Sequence, residues 1–209
     1  MMVLPNYLPP VSRCIRAALL AVLCGSPFFL LACARSGPPA TQYILGTAPA
    51  AATATNALKG RPAIEVMSVR IPDYLDTRDI VVRSDNRLLP SSSGQWGERL
   101  SIGMTRALAS SLAARLPNMS VVTMRPIEPP VRQVIVDVTA FEARPDQKAV
   151  LIARWTVADR LGHATLLAQE TVLVESSPSM EDKDLVTAMS RVVDDLASQI
   201  AAGIERTRP

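Results

Sequence analysis

Three long β-type runs in the second half of the chain restrict the fold more than any other feature. They are VRQVIVDVTAFE (131–142), QKAVLIARWTVA (147–158) and ATLLAQETVLVE (164–175). The connections between them, ARPD and DRLGH, are of hairpin length and contain turn residues. The spacing therefore predicts an antiparallel meander. In the first run valines alternate with polar residues such as Gln133 and Asp137, which predicts one solvent-facing side.

The C-terminal segment predicts a helix by its periodicity. Apolar residues recur there at 3.6-residue spacing, at Leu185, Met189, Val192, Val193, Leu196, Ile200 and Ile204. A shorter stripe between 96 and 116 predicts a second helix, which ends at Pro117. The segments AIEVMSVRIP, RDIVVRS and MSVVTMRP predict further strands, whereas DNRLLPSSSGQ (85–95) is expected to be a loop.

The predicted order of elements is β-β-α-β-β-β-β-α. We expect an α+β domain over 63–209, with a mostly antiparallel sheet and two amphipathic helices packed on one face. The preceding segment, 33–62, is rich in Ala, Pro and Thr, a composition that cannot bury enough apolar area to fold and predicts a tether. Its apolar island at 42–46 fits a short strand and a turn in a linker equally.

The N-terminal segment up to Cys33 has the composition of an export signal. Arg13 and Arg16 are the only charged residues before Cys33, and the apolar run that follows them is broken by Pro27. This pattern predicts a signal peptide over 1–32, since the run is too short to span a bilayer as a helix. Leu30-Leu31-Ala32-Cys33 resembles the lipobox of bacterial lipoproteins, which implies cleavage before Cys33 and attachment of lipid to its thiol. The alternative is an uncleaved anchor helix.

Charge and cysteine usage exclude several classes of function. Loss of 1–32 removes two Arg and no acid, so Lys and Arg fall from 22 to 20 against 19 Asp and Glu, which leaves a net charge of +1. A chain this close to neutral lacks the positive footprint of a nucleic-acid-binding protein. Cys33 would be the one remaining cysteine, and acylation would consume it. We therefore expect no disulfide, no zinc held by cysteines and no thiol nucleophile.

Sequence motifs for catalysis are also absent. The one histidine, His163, lies in a predicted turn, where a solvated surface role is far more common than a catalytic one. The chain contains no GxSxG, HExxH, Walker or GxGxxG pattern. We therefore expect a protein that is not an enzyme and that needs no cofactor or metal.

Three segments carry a resemblance to a known family. They are YIL (43–45), IEVMSVRIPDYLDTRDIVVR (64–83) and QWGERL (95–100). Together with the lipobox, they make the chain resemble the ABC-type transport auxiliary lipoproteins. The resemblance implies a non-catalytic lipoprotein of the outer membrane that faces the periplasm and works with an MCE-domain protein, which carries lipids between the two membranes. Because MCE assemblies are symmetric, a lipoprotein that docks on them could itself form a homo-oligomeric ring.

The most family-like segments supply the candidate site. We expect partner contacts from 70–80 and from the loop 84–96, with Tyr74 and Trp96 as anchors and Pro72 and Arg99 as further contacts. Packing of both rings in the core is the equally weighted alternative. Two other functions remain open. A domain that itself binds a lipid or glycan would need a large apolar cavity, and a lipid-anchored hydrolase would need a nucleophile with its base.

Overall fold

The computed structural model describes residues 39–46, 60–124 and 130–207. The signal peptide and lipid-attachment site predicted at 1–32 and at Cys33 lie outside the described residues, as does most of the predicted tether. None of the described helices is both long enough and apolar enough to cross a membrane.

The described chain forms eight strands and two helices. The first half contains β1 (Thr41–Tyr43), β2 (Ala63–Val66), β3 (Asp79–Ser84), β4 (Arg87–Trp96) and α1 (Leu100–Arg115). The second half contains β5 (Ser120–Val122), β6 (Arg132–Arg144), β7 (Lys148–Ala158), β8 (Thr165–Ser176) and α2 (Asp182–Arg206). The predicted α+β class with two helices is confirmed.

The predicted meander forms as β6, β7 and β8. These strands pair antiparallel along nearly their whole length. Their valine alternation produces the core face, because Val134, Val136 and Val138 are all buried. The β6–β7 turn places Gln147 in the left-handed region at φ 61°, and the β7–β8 turn places Gly162 there at φ 71°. Glycine adopts that region without steric cost, which suits Gly162 to its turn.

The prediction of a mostly antiparallel sheet is wrong. Along the edge of β6 that does not face β7, the strands β2 and β3 both pair with it in parallel. The pairs β1–β4 and β2–β5 are parallel as well, so the sheet is mixed and most of its strand pairings are parallel. Parallel neighbours are joined by long crossovers rather than by turns. Short strands far apart in sequence therefore give no local sign of which partner they choose.

The predicted loop at 84–96 is also wrong, because most of it is strand β4. This strand pairs antiparallel with β3 through a two-residue turn, in which Asp85 has a φ of 54°. Its end, Gly94–Trp96, pairs in parallel with β1. Serine and proline have low strand propensity, but pairing on both sides of β4 outweighs that preference.

Both helices share one core with the sheet. All seven apolar positions of the predicted C-terminal stripe are buried in α2. Helix α2 packs on β7 and β8 and also contacts α1. Helix α1 turns inward the residues Leu100, Gly103, Met104, Ala107, Leu108 and Leu112. The largest fully buried side chain is that of Trp155 on β7. Its Nε1 donates a 3.1 Å hydrogen bond to Thr171 Oγ1 on β8.

Candidate functional site

The turn at Pro72–Thr77 connects the family-like segment to the start of α1. The backbone N–H of Leu75 donates to the Pro72 carbonyl at 2.9 Å, and the N–H of Thr77 donates to the Leu75 carbonyl at 2.8 Å. The Leu75 side chain is buried in the core. The turn is therefore anchored by one inward leucine while its neighbours remain at the surface.

Asp76 joins this turn to the N-terminus of α1. The backbone N–H of Ser101, one of the free donors of the first helical turn, donates to Asp76 Oδ1 at 3.0 Å. The Arg99 guanidinium forms an ion pair with the other carboxylate oxygen. Burial acts to raise the pKa of Asp76, but the hydrogen bonds from Ser101 and the Arg99 charge outweigh it, so the pKa lies below its usual range. The carboxylate thus holds the turn, the helix and Arg99 in one arrangement.

This arrangement leaves a mixed surface around the helix start. The Tyr74 side chain is 43% exposed and Ile102, in the first turn of α1, is 55% exposed. Arg99 is exposed and Pro72 is half-buried. We call Pro72, Tyr74, Arg99 and Ile102 the turn–helix surface. It combines an aromatic ring, an aliphatic side chain and a guanidinium on a backbone fixed by hydrogen bonds. Tyrosine and arginine are enriched among the residues that anchor protein interfaces.

Beside it, α1 borders an open groove of about 350 Å³. The groove is lined by Ile102 and by Ser68 and Val69, which follow strand β2. Across it, the backbone N–H of Val69 donates to Thr105 Oγ1 at 2.9 Å. The turn–helix surface therefore continues into a shallow depression rather than into a deep cavity.

Trp96 does not belong to this surface. Its ring is only 2% exposed, and it ends strand β4 opposite Tyr43. Its backbone is fixed on both sides, because its N–H donates to the Arg78 carbonyl at 2.7 Å and its carbonyl accepts from Arg78 Nε at 3.1 Å. Of the two aromatic candidates, Trp96 therefore takes the core position, since a buried ring offers no area to a partner, while Tyr74 lies at the surface.

The polar face of the meander differs from the expectation at one position. Asp137 is partly exposed and forms a two-pronged ion pair with Arg70, with one Nη2–Oδ2 distance of 2.7 Å. Gln133, expected to face solvent, is buried and donates from Nε2 to Glu65 Oε2 at 2.8 Å. Burial of that amide follows from the tertiary packing of β2 and of the Gly162 turn against the start of β6.

A second groove has a volume of about 850 Å³. It lies between the β3–β4 hairpin and the start of α2, and its apolar lining includes Tyr43, Leu89 and Met180. At its polar end Ser91 Oγ and Ser93 Oγ donate to Asp182 Oδ2 at 2.8 and 2.7 Å. These bonds tie β4 to the first turn of α2. The groove is open to solvent and mixed in polarity.

His163 is exposed in the β7–β8 turn, where its backbone N–H donates to Asp159 Oδ1 at 2.8 Å. Within the described ranges, no three His, Cys, Asp or Glu side chains are close enough together to hold a metal ion.

Sequence reasoning missed Asp76 and Ile102 at this site. A helix cap is normally sought among the residues next to the first turn, whereas Asp76 precedes Ser101 by 25 positions. The signal that existed is the segment PDYLD, which places a second carboxylate after a turn-forming proline. Ile102 lies off the apolar stripe of its helix, and such an exposed isoleucine is recognisable only once the inward face is known.

Comparison with known proteins identifies the family of this chain. Residues 43–201 match the family described as ABC-type transport auxiliary lipoprotein component. The intermembrane transport lipoprotein PqiC of Escherichia coli (strain K12) is 26% identical over 156 residues, which are 74% of this chain and 81% of PqiC. PqiC of Shigella flexneri is similar to the same extent.

Solved structures resemble the fold as a whole. A crystal structure of an uncharacterized protein superposes with a TM-score of 0.67 at 19% identity, over 80% of this chain and 99% of that one. Protein XCC0632 of Xanthomonas campestris superposes with a TM-score of 0.61 at 11% identity, over 80% of this chain and 93% of that one. At these identities the likeness concerns the fold alone.

Proposed function

The chain belongs to the family of ABC-type transport auxiliary lipoprotein components, and from this premise we propose that it is the non-catalytic docking subunit of an MCE-type system that carries lipids between the two membranes. In this role the protein is tethered to the outer membrane, faces the periplasm and holds an MCE-domain partner in place. The name of its relative PqiC, an intermembrane transport lipoprotein, is consistent with such a role.

The observation that carries the proposal is the turn–helix surface. Its backbone is ordered by the Asp76 hydrogen bond to Ser101, yet Tyr74 and Ile102 project from it with large exposed fractions. Exposed apolar side chains on a fixed backbone bind with little loss of conformational entropy, which favours their use as anchors. Arg99 lies at the same place and would supply the charged contact.

The tether is proposed at Cys33. After cleavage the acylated residue would begin the chain, and 34–40 would separate the membrane from β1, which already belongs to the sheet of the domain. The test is an intact-mass measurement on the membrane fraction, with a triacylated chain beginning at Cys33 as the expected species. A Cys33→Ser protein that stays membrane-bound through 17–32 would instead support the uncleaved anchor. Density-gradient fractionation would then separate outer-membrane from inner-membrane attachment.

The partner is proposed to be symmetric. A ring or tube of MCE domains offers the same docking surface several times, so several copies of the lipoprotein can occupy it together, as in the homo-oligomeric ring predicted from the sequence. The proposal therefore expects a fixed ratio of lipoprotein to MCE protein in the purified complex, which quantitative mass spectrometry measures.

The decisive experiment removes the exposed ring. Tyr74→Ala in the full-length lipoprotein should reduce co-purification of the MCE protein from detergent extracts by at least about tenfold, the effect of losing an interface anchor of about 2 kcal/mol. The melting temperature should change little, because Tyr74 is 43% exposed and lies outside the core. Leu161→Ala is the matched control, since it also truncates a large exposed side chain but in the β7–β8 turn. Equal binding by both variants would refute the role of Tyr74.

The 850 Å³ groove supports a second candidate, the binding of a lipid or glycan by the domain itself. Its lining combines exposed Leu89 and Met180 with the hydroxyls that bind Asp182. Met180→Asp would place a charge in the apolar part of this groove. A loss of co-purifying lipid in this variant, with MCE binding intact, would favour ligand binding over docking.

A further inference from the structure

Strand β8 is a long sheet edge without a described neighbour on one side. It runs over twelve residues and, among the residues that the structure describes, pairs with β7 alone. From Leu167 to Ser176 the pairing with β7 is regular, so the opposite edge presents an uninterrupted row of backbone donors and acceptors. Such an edge is a template for a further strand.

The sequence of β8 has few of the features that usually protect an edge. Natural edge strands carry charged side chains, above all lysine, or proline or bulges that prevent pairing with other chains. The segment TLLAQETVLVES has no lysine, arginine or proline; its charged residues are Glu170 and Glu175, and its one register shift lies at its start, opposite Val157 and Ala158. Its length and composition are those of a strand that can accept a partner.

Two exposed valines on the solvent face of β8 also favour a partner strand at this edge. Val172 and Val174 are 63% and 50% exposed, although valine is ordinarily among the most buried residues. They lie in the same cross-strand rows as Ile152 and Val150 of β7, of which Ile152 is partly exposed and Val150 is buried. The exposed apolar surface therefore lies mainly on β8 itself, at the free edge.

The order of residues along β8 makes the strand complementary to itself. If two copies pair antiparallel about a two-fold axis at Leu173, then Val172 of each lies opposite Val174 of the other. Glu170 then lies opposite Ser176 and Glu175 opposite Thr171, so no like charges meet. A register centred on Glu170 would oppose two glutamates, and centres at Thr171 or Val172 would place Glu170 against a valine. Cross-strand pairs of this kind determine which register is stable.

The helix face of the sheet is compatible with the same register. Leu173 is partly buried and packs against the core of its own domain. At the two-fold axis it would meet its counterpart and join the two cores beneath one continuous sheet. Because such an axis is perpendicular to the sheet, the helices of both copies lie on the same side.

From the free edge, its sparse protection and the self-complementary order, we propose that β8 pairs with β8 of a second copy of this chain, antiparallel and centred on Leu173. The contact is isologous, so it joins copies in pairs and is separate from any ring on a transport partner. It also goes beyond the docking role, since it needs no other protein.

Disulfide trapping in cells tests the register directly. Full-length chains carrying Val172→Cys with one epitope tag and Val174→Cys with another are expressed together, then treated with a mild oxidant. Opposed positions in an antiparallel pair have Cβ atoms about 4.5–5.5 Å apart, close enough for a disulfide after small shifts. A cross-linked species with both tags is expected. Thr165→Cys, on the same strand but beyond the predicted overlap, is the matched control and should give none.

Charged substitutions at the two valines test the same register without cysteines. Val172→Lys and Val174→Glu should each lower co-purification of two differently tagged copies roughly tenfold, because both apolar cross-strand pairs are lost at once. In the double variant the introduced lysine of each copy lies opposite the introduced glutamate of the other, so co-purification should be restored. Since both valines are exposed, the melting temperatures should not fall.

Three results would overturn the proposal. They are cross-linking no stronger than that of Thr165→Cys, failure of the double charge variant to regain association, and a trapped band whose second component is another protein. The last result would assign the edge to a foreign strand. None of these results depends on binding of the MCE protein, so they leave the proposed function to its own test.

Discussion

Two glycines in the helices should respond oppositely to the same substitution. Gly203 lies in α2 and Gly103 in α1, and both are buried. Replacement of a helical glycine by alanine normally stabilises a protein by about 0.4–1 kcal/mol, because the unfolded chain loses conformational freedom. That gain is available at both positions, so any difference between them reports on the space around the new methyl group.

The structure gives that space directly. A Cβ at Gly203 would lie 2.8 Å from Trp155 Cη2 and 2.9 Å from Leu167 Cδ2, whereas a Cβ at Gly103 would lie 3.4 Å from its nearest neighbour, Glu98 Oε1. Carbon atoms pack best at about 3.5–4.0 Å, and overpacking a core costs about 1–3 kcal/mol. The Trp155 ring is fully buried and cannot move aside cheaply. Gly203→Ala should therefore lower stability by about 0.5–2 kcal/mol, and Gly103→Ala should raise it by about 0.5 kcal/mol.

Thermal unfolding of the full chain in detergent measures both effects. For a protein of this size, 1 kcal/mol corresponds to about 2–4 °C in Tm. Gly203→Ala should lower Tm by a few degrees while Gly103→Ala raises it slightly. If Gly203→Ala stabilises the protein as much as Gly103→Ala does, the packing of α2 on Trp155 is looser than described and the reasoning fails.

Three further predictions concern the helices. Leu196→Ala removes a fully buried side chain and should cost about 2–5 kcal/mol in urea unfolding, whereas a loss below about 1 kcal/mol would place this face of α2 outside the core. Asp76→Ala removes the acceptor for Ser101 and should cost about 0.5–2 kcal/mol, while Asp76→Asn keeps an acceptor oxygen and should lose less; equal losses would contradict the capping role. The Arg115 guanidinium holds the pKa of Asp194 below its usual range, so its contribution is present above the ordinary Asp pKa and disappears as pH falls through the lowered value. The Tm difference between wild type and Asp194→Asn should accordingly shrink on acidification below about pH 4, and a difference that is constant with pH would exclude this ion pair as its source.

Local periodicity was sufficient for the longest elements. The meander and α2 each repeat one pattern over more than ten residues, so their inward faces were predictable from the sequence. The same reasoning failed for β4, whose proline and serines indicate a loop. It also could not choose between core and surface for Trp96 and Tyr74, because an aromatic residue suits both environments and only its neighbours decide.

The candidate site depended more on tertiary structure than the core did. The sequence located the family-like segment that contains Tyr74, since that segment is continuous in the chain, but the exposure of Tyr74 became known only from the structure. The tertiary structure decided that Asp76 caps a helix that begins 24 residues later and that Arg99 and Ile102 join the same surface.

Strand pairing likewise has a part that the sequence predicts and a part that only the tertiary structure shows. Hairpin-length turns make β6, β7 and β8 antiparallel neighbours from the sequence alone, because a turn of a few residues leaves the chain no other choice. The parallel pairing of β2 and β3 along β6, by contrast, joins strands separated by dozens of residues. The free energy that stabilises this parallel pairing comes from the joint burial of side chains from the whole domain, and no local sequence pattern predicts it.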